Sequence, residues 1–166
     1  MSANDNEIAT ADLFDYFEER LELCSLRLRR YGGRRRFSGP IATVRVFEDN
    51  VLVRECLEGA GEGRVLVVDG GGSERCALLG DLLAAAGVSN GWAGVVINGC
   101  VRDSNALASM PFGVAASATC PRKSRKEGTG AVAVPVAFGG VTFHPGQWVY
   151  VDDDGIALSE EKLVLP

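Results

Sequence analysis

Two stretches decide the fold: Val65-Leu66-Val67-Val68-Asp69, closed by Gly70-Gly71-Gly72-Ser73, and Trp92-Ala93-Gly94-Val95-Val96-Ile97-Asn98, closed by Gly99. Each is a short, unbroken apolar run that stops at glycine. A strand with one wet face alternates apolar and polar residues, so an unbroken run predicts a strand covered on both faces. Between them Gly80 interrupts a helical pattern, and Asp81 is placed to cap a fresh helix over residues 82–86. Strand, helix, strand is βαβ rhythm, which points to an α/β domain with a parallel sheet.

Working outward, Ile41–Val46 is a β-branched strand, Asn50 opens a helix that ends near Gly61, and Phe112–Ser117 is a further strand. Upstream, residues 10–23 predict a helix with Thr10 or Asp12 as N-cap and Leu13, Phe17 and Leu21 on one face. Beyond Lys126 the helix signals stop. Residues 131–158 carry four short β-type runs parted by Gly139-Gly140, His144-Pro145-Gly146 and Asp152-Asp153-Asp154-Gly155. The expectation is one domain over residues 1–166, a βαβ core with a β-rich C-terminal layer and no internal repeat.

With 46% hydrophobic and 23% charged residues in 166, the chain can build a core, which excludes disorder throughout. No apolar run approaches a membrane span, and the acidic, polar start is unlike a secretory signal. A net charge of −5 argues against direct nucleic-acid binding. The five cysteines are odd in number, widely spaced and without C-x-x-C, so they read as reduced thiols in the cytoplasm.

Familiar catalytic sets are absent. The single histidine, His144, reads as a turn residue, and the triple glycine is followed by neither a P-loop lysine nor a dinucleotide fingerprint. What remains is a pair of acid-bearing turns at βα junctions: Gly80-Asp81-Leu82-Leu83 and Gly99-Cys100-Val101-Arg102-Asp103. Helix-start amides can hold a carboxylate or phosphate, and open α/β sheets bind ligands at the carboxyl ends of their strands. Arg102 could meet an anionic oxygen and Asp103 a divalent metal; both could equally form a solvated helix start with Asp103 as N-cap. The basic clusters Arg27–Arg36 and Arg122–Lys126 hold 10 of the 17 basic residues. Such clusters can bind RNA or an anionic substrate, but no aromatic RNA-binding signature accompanies them, and they read rather as solvated loops or intersubunit contacts.

The strings YGGRRRFSGPIATVRVFEDN, GRVLVVDGGGS, GWAGVVINGCVRD and FGGVTFHPGQWVYVDDDGIALSE, in this order, resemble the RraA-like family. That family holds regulators of ribonuclease E activity and metal-dependent 4-hydroxy-4-methyl-2-oxoglutarate aldolases. The resemblance runs from about residue 10 to the C-terminus. It implies a swivelling β/β/α fold assembled as a homotrimer or a dimer of trimers. Its aldolase members carry D-x20-R-D, and Asp81, Arg102 and Asp103 satisfy that spacing.

By similarity, the amides of Gly80, Asp81, Leu82 and Leu83 would hold the carboxylate of a small 2-oxo acid substrate, and Arg102 would contact its keto oxygen. Asp103 would anchor Mg²⁺ or Mn²⁺, and Asp81 would orient a water for proton transfer. The implied activity is a pyruvyl lyase, an aldolase that also decarboxylates oxaloacetate through a pyruvate enolate. The alternative is an inhibitor of an RNase E-type ribonuclease, bound through the acidic surface. The family's bacterial aldolases continue past the point that corresponds to Pro166, a departure that bears on the natural substrate more than on the enolate chemistry, since oxaloacetate decarboxylation needs fewer contacts than recognition of a branched six-carbon acid.

Overall fold

The structure is a computed structural model that describes residues 8–166. The expectation drawn from the acidic start falls, for residues 1–7, outside them. Helix α1 (Thr10–Phe17), drawn out as a 3-10 turn to Arg20, precedes β1 (Glu22–Cys24) and β2 (Arg29–Arg30). The long β3 (Phe37–Arg45) leads to α2 (Val51–Glu58), β4 (Val65–Asp69), β5 (Ala77–Leu79) and α3 (Asp81–Ser89). There follow β6 (Gly94–Val101), the single turn α4 (Ser104–Leu107) and β7 (Gly113–Thr119). The C-terminal layer is β8 (Ala131–Val132), β9 (Val136–Phe138), β10 (Val141–Phe143), β11 (Trp148–Val151) and β12 (Ile156–Ser159).

Strands β3, β4, β6 and β7 lie parallel in that order, and β5 pairs with the far end of β6. β3 belongs to two arrangements at once. Its residues Phe37–Pro40 pair antiparallel with β11, while Ile41–Arg45 pair parallel with β4. From β11 the antiparallel sheet continues through β12 to β1.

Alternation along each strand sorts the core. Leu66, Val68, Val95 and Ile97 face α2 and α3 and pack on Val53, Leu57 and Ala84. Val65, Val67 and Val96 face the other way, onto Val136, Phe143, Val149 and Leu158 of the β layer. Both sides of β4 and β6 are therefore dry, as their unbroken apolar runs require. Gly94 and Gly113 pair across β6 and β7, and a Cβ on either would strike the Phe37 ring. The two glycines make the slot that this buried phenylalanine fills.

Several boundaries differ from the sequence expectation. The strand expected from Ile41 begins at Phe37, because its first residues find β11 as partner. The run 131–138 breaks into β8 and β9 around Ala133, whose φ of 59° lies in the left-handed region, and Pro135. The first helix stops at Phe17, and neither Thr10 nor Asp12 caps it; Ala9 holds that position without a side-chain bond. Its cap comes from the other end of the chain. The buried Asp152 carboxylate accepts the Thr10 N–H at 2.7 Å and the Thr10 hydroxyl at 2.8 Å, and also the N–H groups of Asp154 and Gly155.

Burial works to raise the Asp152 carboxyl, but these donors outweigh it and hold the group below its usual range. A carboxyl depressed in the folded state stabilises above its unfolded value, about pH 3.9, and that contribution is lost as pH falls through the folded value. Asp152→Ala is expected to cost about 1–3 kcal/mol at pH 7, since four donors lose their acceptor. The deficit should shrink towards pH 3. Urea midpoints at both pH values measure it, and a pH-independent deficit would contradict the assignment.

Candidate functional site

The carboxyl ends of β3, β5, β6 and β7 open on one cleft of about 110 Å³. Its floor is built at the two turns singled out in the sequence. Gly80 is extended (φ −132°, ψ −165°), and α3 begins at Asp81 with Gly80 as an N-cap that has no side chain to offer. Asp103 supplies what is missing, since its Oδ2 accepts the Asp81 N–H at 3.0 Å. The N–H groups of Leu82 and Leu83 are in the first helical turn, where no intrahelical acceptor exists.

The second turn reaches this place because β6 runs on to Val101, further than the expected end at Asn98. Its register shifts between Ile97 and Cys100, and the Arg102 N–H then bonds to the Leu79 carbonyl at 2.9 Å. Asp103 follows with φ 59°, a left-handed backbone that aspartate tolerates, and stands at the N-cap position of α4 without capping it by its side chain. Its carboxylate turns to α3 instead. A Cβ on Gly80 would lie 2.6 Å from Asp103 Oδ2 and 3.3 Å from Arg102 Cγ. Only glycine lets the helix start, the guanidinium and the carboxylate approach so closely.

Every residue expected at the site (Gly80, Asp81, Leu82, Leu83, Arg102 and Asp103) lines this cleft. One refinement concerns the amides: that of Asp81 is already held by Asp103, which leaves those of Leu82 and Leu83 as helix-start donors.

The remaining wall was missed in the sequence. Asn50, Arg54, Lys123, Ser124 and Lys126 also line the cleft. The stretch Arg122–Lys126, expected as a solvated loop or intersubunit contact, follows β7 and comes back against the site: the Ala77 N–H bonds to the Arg122 carbonyl at 2.8 Å. Lys126 Nζ donates to Asn50 Oδ1 at 2.7 Å. Burial, and after it the cations Arg54, Arg102 and Lys123, push the Lys126 ammonium below its usual range, with Asp49 opposing. Four cations thus meet two carboxylates in the cleft of a chain whose net charge is −5. The signal that could have found them is the rule already used for β6. Asn50 follows β3 and Arg54 lies one helical turn on, so both sit at a carboxyl end of the same sheet.

Among the described residues, no three or more His, Cys, Asp or Glu side chains converge to hold a metal. The cleft itself offers Asp81 and Asp103, hard oxygen donors. Two carboxylates suit Mg²⁺ or Mn²⁺, which retain several waters and take few protein ligands. By lacking a Cβ, Gly80 admits the Asp103 carboxylate to the cleft, where its oxygens and those of Asp81 are of the type such an ion takes. All five cysteines are free thiols, and among the described residues no helix is long and apolar enough to cross a membrane.

Comparison with known proteins adds the following. A protein of Aromatoleum aromaticum that carries a provisional name, 4-hydroxy-4-methyl-2-oxoglutarate aldolase, is 56% identical over 95% of this chain and 99% of its own length. One of Laribacter hongkongensis with the same name is 54% identical, over 95% and 99%. Among solved structures, a protein of Geobacillus kaustophilus described as an S-adenosylmethionine:2-dimethylmenaquinone methyltransferase superposes with a TM-score of 0.93 at 56% identity, covering 94% of this chain and 97% of that one. The RNA-processing inhibitor RraA from Thermus thermophilis gives 0.91 at 48%, covering 95% of each. The family model described as RraA-like, Aldolase/RraA, matches residues 10–158. Fold, motifs and relatives agree, and the chain belongs to the RraA-like family, with its expected β/β/α architecture.

Proposed function

We propose that the chain is a divalent-metal-dependent pyruvyl lyase: it cleaves 4-hydroxy-4-methyl-2-oxoglutarate-type acids by retro-aldol reaction and decarboxylates oxaloacetate. The observation that carries the reading is the convergence of the α3 start, Arg102 and Asp103 around Gly80. Both reactions break a carbon–carbon bond and leave a pyruvate enolate, whose oxygen takes up negative charge. Leu82 and Leu83 N–H hold the carboxylate beside the keto group, and the Arg102 guanidinium faces the keto oxygen as it becomes an enolate. Asp103 holds the divalent cation, Mg²⁺ or Mn²⁺, which when bound supplies further positive charge at that oxygen. Asp81 orients a water that takes up the 4-hydroxyl proton as the retro-aldol bond breaks and, in both reactions, delivers a proton to the enolate carbon. Arg54, Lys123 and Lys126 receive the second carboxylate of a dicarboxylic substrate. A Schiff base is unnecessary to this scheme, although two of the chain's three lysines line the cleft.

The relatives' names favour an aldolase over the methyltransferase, and a small cationic cleft suits a small anionic acid better than a nucleoside with a quinone. The likeness to an RNA-processing inhibitor supports a second reading, in which the acidic exterior of a cytoplasmic homotrimer, or of a dimer of trimers, inhibits an RNase E-type ribonuclease. The two separate in one assay. Pyruvate release is followed from oxaloacetate and from 4-hydroxy-4-methyl-2-oxoglutarate, with Mg²⁺, with Mn²⁺ and with EDTA, after subtraction of the protein-free rate. EDTA-sensitive turnover that falls about 100-fold or more in Asp103→Ala is the expected result. No turnover on either acid, with a ribonuclease inhibited, would transfer the function to the surface.

A further inference from the structure

Asp49 touches none of the groups just assigned a role in substrate binding, yet it ties together the two segments that carry the cationic wall. It is 1% exposed. Its Oδ1 accepts the Val51 N–H at 3.1 Å, the first N–H of α2, which presents Arg54 one turn later. Its Oδ2 accepts the N–H of Glu127 at 2.9 Å, the N–H of Thr129 at 3.3 Å and the Thr129 hydroxyl at 3.3 Å. The same loop is stitched by backbone on either side: Arg125 N–H to the Glu48 carbonyl at 2.8 Å and Asn50 N–H to the Arg125 carbonyl at 3.4 Å. Lys126 lies between these anchors, with its ammonium on Asn50.

Arg54, Lys123 and Lys126 repel one another, so an arrangement that brings them to one wall needs a restraint. A buried carboxylate held by four donors supplies the restraint, because the loop cannot move away without stranding that charge among unpaired N–H groups. We propose that Asp49 is a positioning residue: by fixing the 125–129 loop to the start of α2 it holds Lys126 and Arg54 in one wall of the cleft, where both can meet a second carboxylate. It would thereby set a preference for dicarboxylic over monocarboxylic 2-oxo acids. The inference rests on the lyase reading for its substrate class, though not for its binding test.

The test compares wild type, Asp49→Asn, Thr129→Val, Lys126→Met and the Asp49→Asn/Lys126→Met double variant, all as the full chain and all checked by thermal melting. Asp49→Asn keeps the size of the side chain but turns an amide towards the loop's donors. With Mg²⁺ present, calorimetric titration with 2-oxoglutarate is expected to show affinity about tenfold weaker in Asp49→Asn and about twofold to threefold weaker in Thr129→Val. Pyruvate affinity should change less. In oxaloacetate decarboxylation the rise in KM should exceed the fall in kcat. In the Lys126→Met background, Asp49→Asn should add under about twofold, because its effect runs through that lysine.

Equal losses for pyruvate and 2-oxoglutarate, fully additive effects, or no 2-oxoglutarate binding by the wild type would each overturn the inference. If Asp49→Asn does not fold, Thr129→Val with and without Lys126→Met decides by the same criteria. Intact discrimination in binding without wild-type turnover of either acid would sink the lyase reading and leave the role of Asp49 standing.

Discussion

Arg102→Ala is expected to lower kcat/KM for pyruvate release by about 10²–10³-fold, with the chain as stable as before. The magnitude follows from the role proposed for the guanidinium, which lines the cleft. In that role it would face the oxygen on which charge develops, and a donor aimed at the transition state costs far more to lose than one that merely binds substrate. The expected stability follows from structure. The Arg102 side chain is exposed, and the contact that fixes this turn is its backbone N–H on the Leu79 carbonyl, which alanine keeps. The loss should therefore fall mainly on kcat. Equal melting temperatures with a collapsed rate would support the role, whereas wild-type turnover in the variant would remove Arg102 from the chemistry.

Gly80→Ala should be nearly as damaging, although it adds a single methyl group. The backbone at Gly80 is extended and open to any residue, so conformational strain contributes nothing. The harm comes from the Cβ, which would meet Asp103 Oδ2 at 2.6 Å and crowd the Arg102 side chain at 3.3 Å. Asp103 must swing away, which breaks its bond to the Asp81 N–H and moves the proposed metal ligand. A displacement of about 1 Å at reacting groups costs on the order of 100-fold in rate. Because the turn borders an open cleft, stability should change by about 1 kcal/mol or less. Parallel measurement of pyruvate release, Mn²⁺ affinity and melting separates the two effects. Full activity in Gly80→Ala would show that the close approach of Asp103 does not matter.

What could be read from the chain depended on how local the cause was. Val65, Leu66, Val67 and Val68, like Val95, Val96 and Ile97, announce themselves because burial on both faces leaves no polar residue in the run. β1 and β2, of three and two residues, carry no period at all and exist because β12 and β7 offer them edges. The cap of α1 was invisible for a similar reason: Asp152 lies 142 residues from Thr10. At the site, Asp81, Arg102 and Asp103 stood out as acids and a base at βα junctions. Lys123 and Lys126 did not, since only the path of the chain after β7 reveals that the loop doubles back to Ala77. A run of basic residues looks the same in sequence whether it faces water or a substrate.

The pairing of β1 with β12 also orders events in time. On a ribosome, α1 and β1 emerge well before β11 and β12, the strands that will cover and pair with them. At ordinary rates of elongation they wait on the order of ten seconds. Strands β3, β4, β6 and β7, with α2 and α3 between them, can meanwhile close on one another as they appear, since each finds its parallel neighbour within the stretch already synthesised. The nascent protein therefore carries an assembled cleft before it carries a closed outer sheet. Leu13, which ends fully buried against Tyr150 and Ala157, stays uncovered throughout that interval. A chaperone that meets this chain during translation should find its N-terminal segment the last part to be withdrawn.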